Sequence, residues 1–67
     1  RQRQRQHQLR VAFEALAAEK QAAVVEEAIG RLNPYWRSRV KPEEPFGHLL
    51  LRKQVAAVLQ ERGHADA

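Results

Sequence analysis

The stretch FGHLLLRKQVAAVLQERG, residues 46–63, decides the fold. Phe46, Leu49, Leu50, Leu51, Val55, Ala56, Ala57, Val58 and Leu59 project around most of a helix's circumference, the pattern of a helix buried on several sides. Pro45 suits a first helical position, with Glu43 and Glu44 at the helix's positive end, and Arg62 followed by Gly63 is a stop signal. A helix is therefore predicted from Pro45, ending at Gly63, with residues 64–67 as a frayed tail. So short a chain has only two other long segments with which to cover that helix. Full burial of one leucine is worth about 1.5–3 kcal/mol, a large share of a small domain's net stability. Self-association is the expected remedy, with Leu49, Leu50, Leu51, Val55, Val58 and Leu59 as the seam and Phe46 and Trp36 as further contacts.

Upstream, the residue types are those of helices. There is no Thr, no segment alternates as a strand would, and Ala, Leu, Glu, Gln and Arg dominate. Leu9, Phe13 and Leu16, with Ala12 nearby, make one apolar arc; Val25, Ala28, Ile29 and Leu32 make another. On one continuous helix the two arcs are offset by roughly 130°, so a break is expected across residues 17–20, although no Gly or Pro marks it. Asn33 followed by Pro34 reads as an N-cap and first helical position, and the helix it opens should reach about Val40, because Lys41 precedes Pro42. KPEEP, residues 41–45, is a stiff connector. The resulting fold is all-α, a small bundle of three to four helices completed by self-association. Residues 1–8 form a basic Arg/Gln arm or helix extension and residues 9–63 the helical domain.

Size and charge narrow the function. A chain of 67 residues is one domain at most, with a small core. It has no Cys, hence no disulfide or thiolate metal site, and a reducing cytoplasm is the default location. No apolar run approaches the roughly 18 residues of a membrane span. The chain has no Met and begins with Arg1, which reads as a piece of a longer protein. Its net charge of +4 favours anionic partners, and Arg1, Arg3, Arg5 and Arg10 account for the whole excess.

The reactive inventory is nearly empty. Ser38 is the one hydroxyl of its class and has no neighbouring base, so no catalytic residue and no enzyme activity are expected. His7, His48 and His64 lack the spacing of a helical metal site, and no metal, cofactor or small-molecule substrate is implied. Arg10 with Glu14 and Glu27 with Arg31 are spaced as i, i+4 ion pairs on solvated faces. YWRSRVK, residues 35–41, is the sharper feature. Its two rings beside Arg37, Arg39 and Lys41 combine base-stacking surface with phosphate-neutralising charge, to which Arg52, Lys53 and the arm's Arg3 and Arg5 would add. The competing reading makes Trp36 a core plug at helical spacing from Leu32 and Val40. A helix-turn-helix through Gly30 fits poorly, because its recognition helix would be only about seven residues long.

AFEALAAEKQAAVVEEAIGRL, residues 12–32, through Phe13, Leu16, Glu19, Lys20, Val24, Ala28 and Leu32, resembles the helical C-terminal regions of bacterial plasmid replication proteins of the initiator or primase type. Ala17 and Ala18 stand where a Pro or Ser would mark the turn. The resemblance covers about a third of the chain and carries no functional residue across. It implies a helical module in plasmid or phage DNA replication that contacts DNA or another replication protein. The expected function is a non-catalytic helical module that binds nucleic acid through a basic surface. The alternative is a protein-interaction or homodimerisation module that uses the last helix.

Overall fold

The computed structural model describes residues 2–63, with side chains from His7 onward. The Arg3 and Arg5 side chains and the expected tail at 64–67 lie outside the described residues. Four helices follow one another: α1 (Gln2–Glu14), α2 (Ala18–Gly30), α3 (Pro34–Arg37) and α4 (Leu49–Glu61). No strand occurs among the described residues, and the fold is a small all-α bundle. No helix among them is long and apolar enough to cross a membrane.

The chain does break between the two N-terminal arcs, slightly earlier than their phase predicts. Ala17 is extended and caps α2 without a side-chain hydrogen bond. The break is held instead by Gln21, whose side-chain amide donates to the carbonyls of Phe13 (3.0 Å) and Leu16 (3.2 Å). The Phe13 carbonyl near the end of α1 already accepts from the Leu16 N–H at 3.1 Å, and the Gln21 amide adds a second bond there while also reaching the Leu16 carbonyl in the connector. Phe13 can then face the core while α2 turns Val24, Val25 and Ala28 inward.

Asn33 caps α3 as its sequence predicts, its Oδ1 accepting from the Trp36 N–H at 3.1 Å. The helix stops at Arg37, three residues short of the expected end. The amides of Arg39 and Val40 both turn back onto the Trp36 carbonyl, which buries Val40 and leads into the extended residue before Pro42.

The last helix is also shorter than predicted. Pro45 and Phe46 belong to turns closed by Glu44 N–H to the Lys41 carbonyl and Gly47 N–H to the Glu44 carbonyl, both 3.0 Å. Phe46 packs edge-on against Phe13, with ring centroids 5.5 Å apart, and that long-range contact outweighs the local start signal. A Cβ on Gly47 would meet Glu44 at 3.3 Å, so the chain there is already close-packed. His48 is the cap, its Nδ1 accepting from the Leu50 N–H at 3.2 Å. The stop falls where expected, with Gly63 at φ 75° beyond Arg62.

The core consists of Phe13, Val24, Val25, Ala28, Leu32, Val40, Leu51, Val55, Val58 and Leu59, with Leu9, Leu16, Ile29, Trp36, Phe46 and Leu50 packed around it. The expected seam therefore needs correcting. Leu51, Val55, Val58 and Leu59 are each 0% exposed within this single chain, Leu50 is half-buried, and only Leu49 stands out at 53% exposed. The apolar perimeter of α4 is covered by its own chain because α4 packs on α2 and α1 at once. Leu51→Ala should cost about 2–5 kcal/mol in urea unfolding, whereas Leu49→Ala should change stability by no more than about 0.5 kcal/mol. Equal effects would contradict this placement.

Candidate nucleic-acid interface

The aromatic and cationic residues of the α3 region form an edge that the core does not consume. Because Asn33 and Pro34 set α3's direction, Trp36 lies half-buried against the core while Tyr35 beside it is 51% exposed. The two rings meet edge-on at 4.9 Å. Trp36 then touches His48 at 5.3 Å, which joins α3 to the start of α4. The Arg39 guanidinium lies over the Tyr35 ring, 3.5 Å from its centroid. It is held there by hydrogen bonds from Nη1 to the Tyr35 carbonyl (2.8 Å) and to Ser38 Oγ (3.4 Å). Ser38 itself donates to the Tyr35 carbonyl, so the lone serine has a structural partner.

The other cations divide by task. Arg37 turns back to donate from Nε to the Leu32 carbonyl and from Nη2 to the Gly30 carbonyl, each at 2.8 Å, closing the carboxyl end of α2. Lys41 sits 3.9 Å from Glu44 in an exposed pair. Arg52, half-buried, lies one turn beyond His48 on the same helix face, and Lys53 beside it is exposed. Neither forms an ion pair among the described residues. Tyr35, Trp36, Arg39 and His48 are thus brought together; Lys41 and Arg37 lie on the same segment with their charges engaged locally. Trp36 packs against the core, as the competing sequence reading has it, and remains half-buried.

Sequence reasoning missed Gln21 and the capping role of His48. No local signal marks Gln21, because its acceptors, Phe13 and Leu16, lie in the preceding helix and the connector. For His48, the apolar run that begins one residue later was the only hint. The expected Arg10–Glu14 pair is not among the ion pairs of the described residues; Arg10 lies instead over the Phe46 ring, 5.3 Å from its centroid. No group of three or more His, Asp or Glu able to hold a metal occurs among the described residues, and none of their polar or charged side chains is buried.

No protein-family model, no curated protein and no solved structure matches the chain.

A second set of charges holds the frame of this edge. Glu27 and Arg31 pair at 3.0 Å, as their spacing predicts, and each reaches across to α4. Arg62 donates to Glu27 at 2.6 Å, and Arg31 to Glu61 at 2.7 Å. The hydrogen bond from Arg62 holds the Glu27 carboxyl below its ordinary value, helped by the positive charges of Arg62 and Arg31 and opposed by partial burial. Glu61 is lowered in the same way by the hydrogen bond from Arg31. Carboxylates lowered in the folded state contribute stability that is present above pH 4.5, their ordinary value, and is lost as pH falls through the folded values. Thermal melting from pH 7 down to pH 3 should therefore show a falling midpoint below about pH 4.5. Arg31→Met should flatten that fall, and an unchanged pH profile would contradict the assignment.

Proposed function

We propose that this chain is a non-catalytic helical binding module that contacts nucleic acid through the edge formed by α3 and the start of α4. The observation that carries this reading is the half-exposed Tyr35 ring with the Arg39 guanidinium stacked on it. Aromatic rings and guanidinium planes are the two surfaces on which unpaired bases stack, each base adding about 1–3 kcal/mol. Arg39 spends only Nη1 on partners among the described residues, so its other N–H groups can meet a phosphate. Arg52 and Lys53 extend the positive charge along α4. Arg37, engaged at the end of α2, shapes the edge more than it supplies free charge. The resemblance of residues 12–32 to plasmid replication proteins supports DNA as the nucleic acid and bacterial DNA replication as the setting, with the cytoplasm as its compartment. The burial of Leu51, Val55, Val58 and Leu59 leaves the α4 seam, the alternative contact surface, without its main residues.

Fluorescence anisotropy with labelled single-stranded and duplex DNA tests the proposal. Binding should be detectable at low salt and weaken linearly in log–log form as salt rises. Tyr35→Ala should weaken single-strand binding about 5- to 150-fold with little change in salt slope. Arg39→Gln should weaken binding and reduce that slope by about one. No binding to either DNA at low salt, or wild-type affinity in both variants, would remove the proposal.

A further inference from the structure

An apolar groove runs along the outer face of α2, on residues that the α3 edge does not share. It is an open hollow of about 660 Å³ lined by Phe13, Ala18, Ala22, Val25 and Ile29 together with Pro42 and Pro45 of the connecting turn. A smaller hollow, about 390 Å³, continues it past Gln21 towards Arg10 and Glu14. Along α2, the apolar residues lining the groove are Ala18, Ala22, Val25 and Ile29, spaced four, three and four apart, with Gln21 and Glu26 beside them. At 100° per residue they fall within about 60° of arc, which is the a/d seam of a helix that packs against another helix. The inward face of the same helix is different, with Val24 and Ala28 wholly buried against the core. Helix α2 thus keeps an apolar strip beside its core face: Val25 at the strip's base already belongs to the core, while Ala18, Ala22 and part of Ile29 remain accessible.

Charge identifies the occupant. Glu19 and Glu26, seven residues apart, flank the seam at the position where coiled coils place the charges that choose a partner. Glu26 and Glu43 both line the groove and Glu14 lines the continuation, while Glu19 stands one heptad before Glu26 on the same side of α2, outside the lining itself. Glu27, Glu44 and Glu61 are engaged in ion pairs, whereas Glu14, Glu19, Glu26 and Glu43 form none among the described residues. In a chain of net charge +4, three of these four glutamates line the groove and its continuation, where Arg10 is the one Lys or Arg among the described lining residues.

We infer that this groove docks a basic amphipathic helix of a partner protein, laid along α2 with its apolar residues over Ala18, Ala22 and Ile29 and its cations towards Glu19, Glu26 and Glu43. The small side chains of Ala18 and Ala22 let the incoming helix approach closely. The twelve residues from Ala18 to Ile29 are separated by eleven rises of 1.5 Å, about 16 Å, or three turns of occupant. This chain's own basic stretch, residues 1–8, is polar at every position and offers no apolar anchor to the groove, so it does not supply the occupant.

Two synthetic peptides of about 14 residues, each with leucines at a/d spacing, provide the test. One carries lysine at its remaining positions and the other glutamate. Titrated into isotope-labelled protein, the lysine peptide should bind saturably and shift the amide signals of Ala18, Ala22 and Ile29, and the glutamate peptide should not bind. Ala22→Arg should weaken binding at least tenfold with an unchanged circular dichroism spectrum. The surface variant Glu19→Lys with Glu26→Lys, which touches no core residue, should reverse the preference between the peptides. The inference is overturned by equal binding of both peptides, by no saturable binding, or by shifts confined elsewhere. Shifts at the same residues that grow with protein concentration alone would make a second copy the occupant and overturn it too. Because the groove shares no residue with the DNA-contacting edge, its failure and the failure of DNA binding would be separate results.

Discussion

The burial of Leu51, Val55, Val58 and Leu59 on α4 against Val24 and Ala28 on α2 is the interaction on which the rest of the structure depends. Those side chains are fully removed from water, and no charged or polar group among the described residues shares the core with them. Ion pairs from Arg31 to Glu61 and from Arg62 to Glu27 hold the carboxyl ends of α2 and α4 side by side. The chain leaving α2 must therefore travel back about the length of α4, roughly 20 Å, before α4 can begin. Residues 31–48 cover that distance with one short helix and a series of turns. Such a return segment runs over the surface, which is why it supplies both the aromatic edge at Tyr35 and the prolines that line the groove.

Charge separates along the same lines. Arg39, Arg52 and Lys53 lie on α3's turn and the first turns of α4, and the glutamates without ion-pair partners collect beside α2. A modest net charge can in this way present a cationic edge and an acidic groove from one small domain. The paired charges between them, Glu27, Arg31, Glu61 and Arg62, serve the frame and leave the two surfaces distinct.

The helical class, the cap at Asn33, the stop at Gly63 and the existence of a break between the two N-terminal arcs were legible in the sequence, because each rests on local chemistry or on the phase of an apolar stripe. The break itself falls after Glu14 and not at residues 17–20 as the phase suggests. The start of α4 was not legible. Pro45 with its preceding glutamates is a sound local signal, but the contact between Phe46 and Phe13 joins residues 33 positions apart and overrides it. The apolar perimeter of α4 was read correctly as a sign of burial on several sides. Its cover was misjudged, since helix counting does not reveal that α1, α2 and the return segment enclose one central helix. At the candidate interface, the residue types were legible and their engagements were not. Arg37 closes the end of α2 and Arg10 lies over Phe46, both through contacts that spacing alone does not encode.

The central claim is that α4 completes its core within a single chain. Thermal unfolding followed across about a hundredfold range of protein concentration tests it most directly, since a core shared between copies ties the midpoint to concentration. A midpoint that stays fixed over that range is the expected result. A midpoint that climbs steadily with concentration would show that a second chain covers α4, and would contradict the claim.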